Sequence, residues 1–138
     1  MRDMTWNTDF STSTTINATV EEVMGVLADV EGLPAWNPAF TWVGPQQDGG
    51  AHSLIVQRVL RGSIRMTTSG AKVVYAIEIP GLVEHSSFRI DDNVDGTTRV
   101  THRVQQAGPL SQLIGAREAS LVPGKRLDRL ERVLAGTY

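Results

Sequence analysis

The residue with the widest chemical range in this sequence is His102. It sits in Arg99-Val100-Thr101-His102-Arg103-Val104, where Val100, His102 and Val104 share one parity and Arg99, Thr101 and Arg103 the other. Along a strand that alternation sends the valines inward and the arginines outward, so the imidazole is expected inside. A buried imidazole without a partner costs roughly 1–3 kcal/mol. Three roles are open to it: a core histidine satisfied by Tyr75 or a hydroxyl, a polar anchor for a bound molecule, or a general base. Tyr75 alternates with Val73, Ile77 and Ile79, so its phenol also faces inward and needs a hydrogen-bond partner.

Other polar candidates are weaker. Glu84 and Ser86 share parity with Phe88 and Ile90, but Glu84 lies near a strand start and reads as a solvated rim carboxylate. Arg65 falls opposite Ile64 and Met66, facing solvent. The pattern does not place Arg58, because both faces of 52–59 carry apolar residues; turned inward, it would pair a ligand carboxylate. His52, His85 and His102 have no local ligand spacing, so no metal site is expected. Asp91 to Gly96 imitates the start of a calcium loop. Its twelfth position is His102 rather than a bidentate Glu, and the flanks read as strands, which makes it a hairpin. With no cysteine, disulfides, thiol nucleophiles and thiolate metal sites are excluded. There is no phosphate loop, dinucleotide fingerprint or GxSxG elbow, and no cofactor is expected.

The elements that would carry these residues run strand, two short helices, many strands, helix. Thr5 to Ile16, with Phe10, Thr12, Thr14 and Ile16 on one parity, suits a half-buried strand. Thr19 followed by Glu22 forms a capping box, and Val20, Val23, Met24 and Leu27 recur at helical spacing to about Ala28. Glu31 to Trp36 allows another turn or two before Asn37-Pro38 forces the chain out of helix. Strands are then expected over Phe40–Gly44, His52–Val59, Ser63–Thr68, Lys72–Ile79, Val83–Asp91 and Thr98–Gln105. Turn residues such as Pro80-Gly81 and Asp95-Gly96 separate them. With the first strand, this is a seven-stranded antiparallel meander. After Gly108-Pro109 a helical stripe carries Leu110, Leu113, Ile114, Leu121 and Val122, then Leu127, Leu130, Val133 and Leu134. Pro123 should kink or split that helix.

At 138 residues, 41% hydrophobic and 20% charged, the chain fits a single domain spanning 1–138. A net charge of −2 gives no electrostatic reason to bind nucleic acid. Met1 to Ser11 lacks the apolar run of a secretory signal, and no stretch reaches the roughly 20 apolar residues of a membrane helix. The expected location is cytoplasmic, without membrane insertion, as a monomer or homodimer.

Two segments carry a resemblance. Thr15 to Val23 looks like the entry to the first helix of the START-like (SRPBCC) superfamily of polyketide cyclases and lipid-transport proteins. Asp29-Val30-Glu31-Gly32-Leu33-Pro34-Ala35-Trp36-Asn37-Pro38 resembles that family's second helix. The resemblance covers nearly the whole chain by layout and Ile16–Phe40 by motif. It implies an α+β helix-grip fold: a curved seven-stranded antiparallel sheet around a long C-terminal helix, with two short helices after the first strand. Pro123-Gly124 departs from the uninterrupted helix of relatives.

The same resemblance implies a cavity between sheet and helix. Trp36, Trp42, Met66, Tyr75, Phe88, His102 and Ile114 are expected to line it around a small hydrophobic or aromatic molecule. An empty apolar cavity of roughly 300 Å³ would cost about 7 kcal/mol, so a ligand, water or collapse onto bulky side chains must fill it. The expected function is binding, with transport as an extension. One alternative is a cyclase- or dehydratase-like enzyme with His102 as base and Tyr75 as hydrogen-bond donor. Another is an interaction module without a ligand.

Overall fold

The computed structural model describes residues 5–136. Strand β1 (Thr8–Ile16) leads to helix α1 (Val20–Ala28) and a 3₁₀ helix (Val30–Ala35). Six strands follow: β2 (Phe40–Gln46), β3 (His52–Val56), β4 (Leu60–Ser69), β5 (Lys72–Ile79), β6 (Leu82–Asp92) and β7 (Thr98–Ala107). Helices α2 (Pro109–Ile114) and α3 (Ala116–Leu134) complete the chain. The strands form one antiparallel sheet in the order β1-β7-β6-β5-β4-β3-β2. Only the β1–β7 pairing joins distant parts of the sequence; every other neighbour is a hairpin partner. This is the helix-grip architecture, with α3 packed chiefly on β1 and β7.

The capping box forms as expected. The Glu22 N–H donates to Thr19 Oγ1 and the Thr19 N–H donates to Glu22 Oε1, each at 3.1 Å, which satisfies two helix-end donors that would otherwise lack partners. The Asp29 carboxylate accepts from the Gly32 N–H at 3.2 Å and starts the 3₁₀ helix. Val23 and Leu27 from α1, Leu33 and Trp36 from the 3₁₀ segment, and Leu127 and Leu130 from α3 are buried in one core with Ile64, Val73, Phe88 and Val100.

Several boundaries differ from the sequence reading. The first strand begins at Thr8, β3 stops at Val56, and Gln57–Val59 form a turn in which Gln57 and Arg58 take φ values of 53° and 70°. Arg58 therefore stands exposed on a turn and is not a cavity residue. The C-terminal helix is broken at Gly115, with φ 85° and ψ 161°, and not at Pro123. A residue with a Cβ rarely takes that conformation, so Gly115 resets the helical phase. Leu113, Ile114 and Leu121 consequently lie exposed. Pro123 stays inside α3, where burial beside Ala119, Leu127 and Leu130 offsets its missing N–H.

The sheet also depends on one close approach. A Cβ on Gly62 would stand 1.9 Å from the Glu78 carbonyl oxygen on β5. Gly62→Ala should therefore cost about 1–3 kcal/mol through forced backbone movement, against about 1 kcal/mol for the lost cap in Thr19→Ala. Urea midpoints would check the order, and an unchanged midpoint for Gly62→Ala would contradict this packing.

Candidate functional site

The inward face of the sheet is apolar along its middle and polar at one end. Register places Phe88 between Val73 on β5 and His102 on β7, Ser86 between Tyr75 and Val104, and Glu84 between Ile77 and Gln106. Phe88 is the hub. The His102 ring stacks on it at 3.8 Å and 10°, while Tyr75 and Trp36 meet it edge-on at 5.8 and 6.4 Å. Trp36, Tyr75, Phe88 and His102, expected from sequence to line a ligand site, thus lie together in the buried interior.

Of the other expected lining residues, Met66 packs against the edge of this core, and Trp42 and Ile114 lie at the surface. Met66 is half-buried opposite Tyr75 on β4. Trp42 is 47% exposed, with its indole lying over Gly44. Its alternation with Phe40 is broken by an irregularity in the β2–β3 register, which turns the ring outward. Ile114 is 40% exposed at the end of α2. His85 is exposed against Trp6, and the buried His52 has Nδ1 2.7 Å from the Gly44 carbonyl oxygen.

At the polar end, the rim reading of Glu84 is overturned. Glu84 is 3% exposed and pairs with Arg126 of α3, whose Nη1 lies 2.7 Å from Oε2. Arg126 also donates to Ser86 Oγ at 2.8 Å, Gln106 Nε2 donates to Glu84 Oε1 at 2.7 Å, and the Ser86 hydroxyl donates to Oε2. Burial alone would raise the Glu84 pKa. The Arg126 charge and the hydrogen bonds from Arg126, Ser86 and Gln106 outweigh it and hold the carboxyl at about 2.

Signals for this cluster were present in the sequence. Glu84 shares parity with Phe88 and Ile90, Gln106 with His102 and Val104, and Arg126 falls on the Pro123–Leu127–Leu130 stripe of α3.

His102 is not satisfied by Tyr75. The Tyr75 hydroxyl donates to the Leu27 carbonyl oxygen, and burial raises its pKa. The imidazole Nδ1 lies 3.0 Å from the Ser87 carbonyl oxygen. Burial first, and the Arg126 charge second, lower the His102 pKa to about 3, against the raising effects of the Ser87 bond and Glu84. The ring is therefore neutral at physiological pH. It can hydrogen-bond, but it is a poor proton acceptor.

One cleft reaches this cluster from outside. About 130 Å³ in volume, it lies between α3 and the segment after the 3₁₀ helix, lined by Asn37, Ala39, Val122, Lys125, Arg126 and Arg129. That is smaller than a typical ligand pocket of roughly 300–1,000 Å³. A larger groove of about 490 Å³, lined by Lys72, Arg89 and Arg103 among others, lies on the opposite, outward face of the sheet. It has no access to His102. Among the described residues, no helix is long and apolar enough to cross a membrane.

Comparison with known proteins agrees with the architecture. The model of a family described as polyketide cyclase / dehydrase and lipid transport matches residues 7–135. No curated protein matches the chain. A START superfamily protein from Mycobacterium smegmatis superposes with a TM-score of 0.79 at 12% identity, covering 94% of this chain and 99% of that one. A conserved protein from Geobacillus kaustophilus gives 0.73 at 16%, covering 94% and 96%. XoxI from Bacillus cereus gives 0.71 at 17%, covering 93% and 96%. At these identities the likeness is one of fold.

Two outcomes follow from the buried charges. Glu84→Gln leaves the largely buried Arg126 without its counter-charge and should cost about 2–4 kcal/mol, below the full buried-pair penalty because Arg126 reaches the cleft, most of it recovered in the Glu84→Leu/Arg126→Met pair. Urea denaturation would measure both, and a neutral Glu84→Gln would contradict the burial.

The second outcome concerns pH. His102 and Glu84 both have folded pKa values below their ordinary 6.5 and 4.5, so as pH falls the unfolded chain takes up these protons first. Stability should decline from pH 6.5 downward through His102, and again from 4.5 toward 2 through Glu84. Each group contributes at most about 1.4 kcal/mol per pH unit. In His102→Leu the decline nearer neutrality should flatten; its persistence would assign it to other groups.

Proposed function

The chain belongs to the polyketide cyclase, dehydrase and lipid-transport family, membership that supports a general ligand-binding or transport role, and on that premise we propose that it binds a small, largely apolar molecule beneath α3. The observation that carries this reading is the cleft along α3, which leads to the buried Arg126–Glu84 pair. Behind that pair lies an aromatic interior of Trp36, Tyr75, Phe88 and His102. Apolar walls with a few convergent polar groups are the usual make-up of a small-molecule site.

Uptake through a cleft of 130 Å³ requires the stretch of α3 that lines it to swing away from the sheet. The Gly115 break is the natural hinge, because α2, which precedes it, projects Leu113 and Ile114 into solvent rather than packing them. The guest then lies along Phe88, with Met66 at the far side of Tyr75. Trp42 and Ile114, which do not line the cleft, have no part in binding. His102 and Tyr75 act as fixed hydrogen-bonding groups rather than as an acid and base. The low His102 pKa of about 3 gives the imidazole little tendency to take a proton from substrate at neutral pH.

Native mass spectrometry and solvent extraction of the purified chain should recover a retained organic molecule, or the protein should saturably take up the neutral probe N-phenyl-1-naphthylamine. Val122→Trp, which fills the cleft mouth, should slow probe uptake about ten-fold or more, equivalent to about 1.4 kcal/mol on the entry barrier. Absence of both retained molecule and probe uptake would favour an interaction module instead.

A further inference from the structure

The hydrogen-bonding polarity of the interior restricts the chemistry of a guest. A carbonyl oxygen only accepts, so the 3.0 Å contact between His102 Nδ1 and the Ser87 carbonyl oxygen fixes the ring proton on Nδ1. Nε2 then carries a lone pair. It is fully buried and has no partner. Gln106 repeats the pattern: its Nε2 faces the Glu84 carboxylate, which also only accepts, and its buried Oε1 is left without a partner. Thr8 and Ser111 also carry buried hydroxyls without partners, but those can rotate to donate or accept. These two fixed sites are both acceptors; the cations Lys125, Arg126 and Arg129 line the cleft outside them, and Arg126 faces Glu84 and Ser86.

We infer that the site selects a neutral hydroxyl-bearing guest, an alcohol or phenol whose O–H donates to His102 Nε2, and discriminates against carboxylates. Opposite Nε2 a carboxylate presents only acceptors to a lone pair, and it loses its hydration on entry. A hydrocarbon of the same shape leaves Nε2 as it is, at the cost of an unmade hydrogen bond. This inference rests on the binding function proposed above and specifies its substrate class.

Three isosteric or near-isosteric probes separate the two claims: 2-naphthol, 2-methylnaphthalene and 2-naphthoate at neutral pH, titrated into the full chain by calorimetry. 2-Naphthol should bind at least about five-fold tighter than 2-methylnaphthalene, the worth of one net hydrogen bond, and 2-naphthoate should bind more weakly than either. In His102→Leu the naphthol preference should vanish while methylnaphthalene affinity holds. His102→Gln, which retains an acceptor, should restore part of the preference.

Nitrogen NMR of the wild-type imidazole is independent of whether those variants fold. Nε2 should be the unprotonated nitrogen in the free chain, and its resonance should move on addition of 2-naphthol. A protonated Nε2, an unmoved resonance with naphthol bound, or equal affinities for naphthol and methylnaphthalene would overturn the inference while leaving apolar binding intact. If none of the three probes binds, the binding function falls and the inference with it.

Discussion

A carboxylate placed inside a protein must be compensated where it stands, and in this chain that demand falls on Glu84. Its compensation comes from Arg126, 42 residues later in sequence and on a different layer of the fold. Removing both ions from water costs several kcal/mol each, which their attraction repays only with good geometry and saturated hydrogen bonding. Ser86 and Gln106 supply that saturation from the same sheet face. Because Arg126 shares a stripe with Pro123, Leu127 and Leu130, the pairing fixes both the rotation of α3 and its position along the sheet. Apolar contacts alone tolerate sliding by a turn; a paired charge does not.

That constraint shapes the rest of the interior. With α3 fixed, the aromatic residues around Phe88 are enclosed, and enclosure leaves His102 neutral. A histidine in contact with water near a carboxylate would titrate near neutrality. Here burial and the Arg126 charge act in the same direction, so the side chain keeps one protonation state and one tautomer. The result is a rigid hydrogen-bonding group whose polarity does not depend on pH in the physiological range, which suits recognition better than proton transfer.

Much of this was legible in the sequence because it is written in short-range terms. The Thr19–Glu22 cap needs residues three apart, the Lys72–Ile79 strand has turn residues on both sides, and the inward parity of His102 follows from its two valine neighbours. The misreadings have equally specific causes. The resemblance places Trp42 among the cavity-lining residues, but an irregularity between Phe40 and Trp42 in the β2–β3 register reverses the pleat there. Leu113, Ile114 and Leu121 fit one helical stripe only if the helix runs unbroken, and the phase is lost at Gly115. Glu84 was judged by its distance from a strand end, whereas its burial is decided by strands on either side and a helix above. No local pattern shows an ion pair between β6 and α3, although the parity of Glu84 and the stripe position of Arg126 each pointed inward.

The irregular β2 strand has a consequence beyond the outward turn of Trp42. A curved sheet that does not close into a barrel leaves its outermost strand available to any other chain in an extended conformation, which is how ordered aggregates begin. With β1 at the opposite edge, β2 is one of the two such strands in the order β1-β7-β6-β5-β4-β3-β2. It includes Pro45, which has no N–H to offer, and its register shifts twice against β3. An incoming strand would therefore meet an uneven row of donors and acceptors. The same distortions that bend the sheet around its helix also make this edge a poor template for self-association.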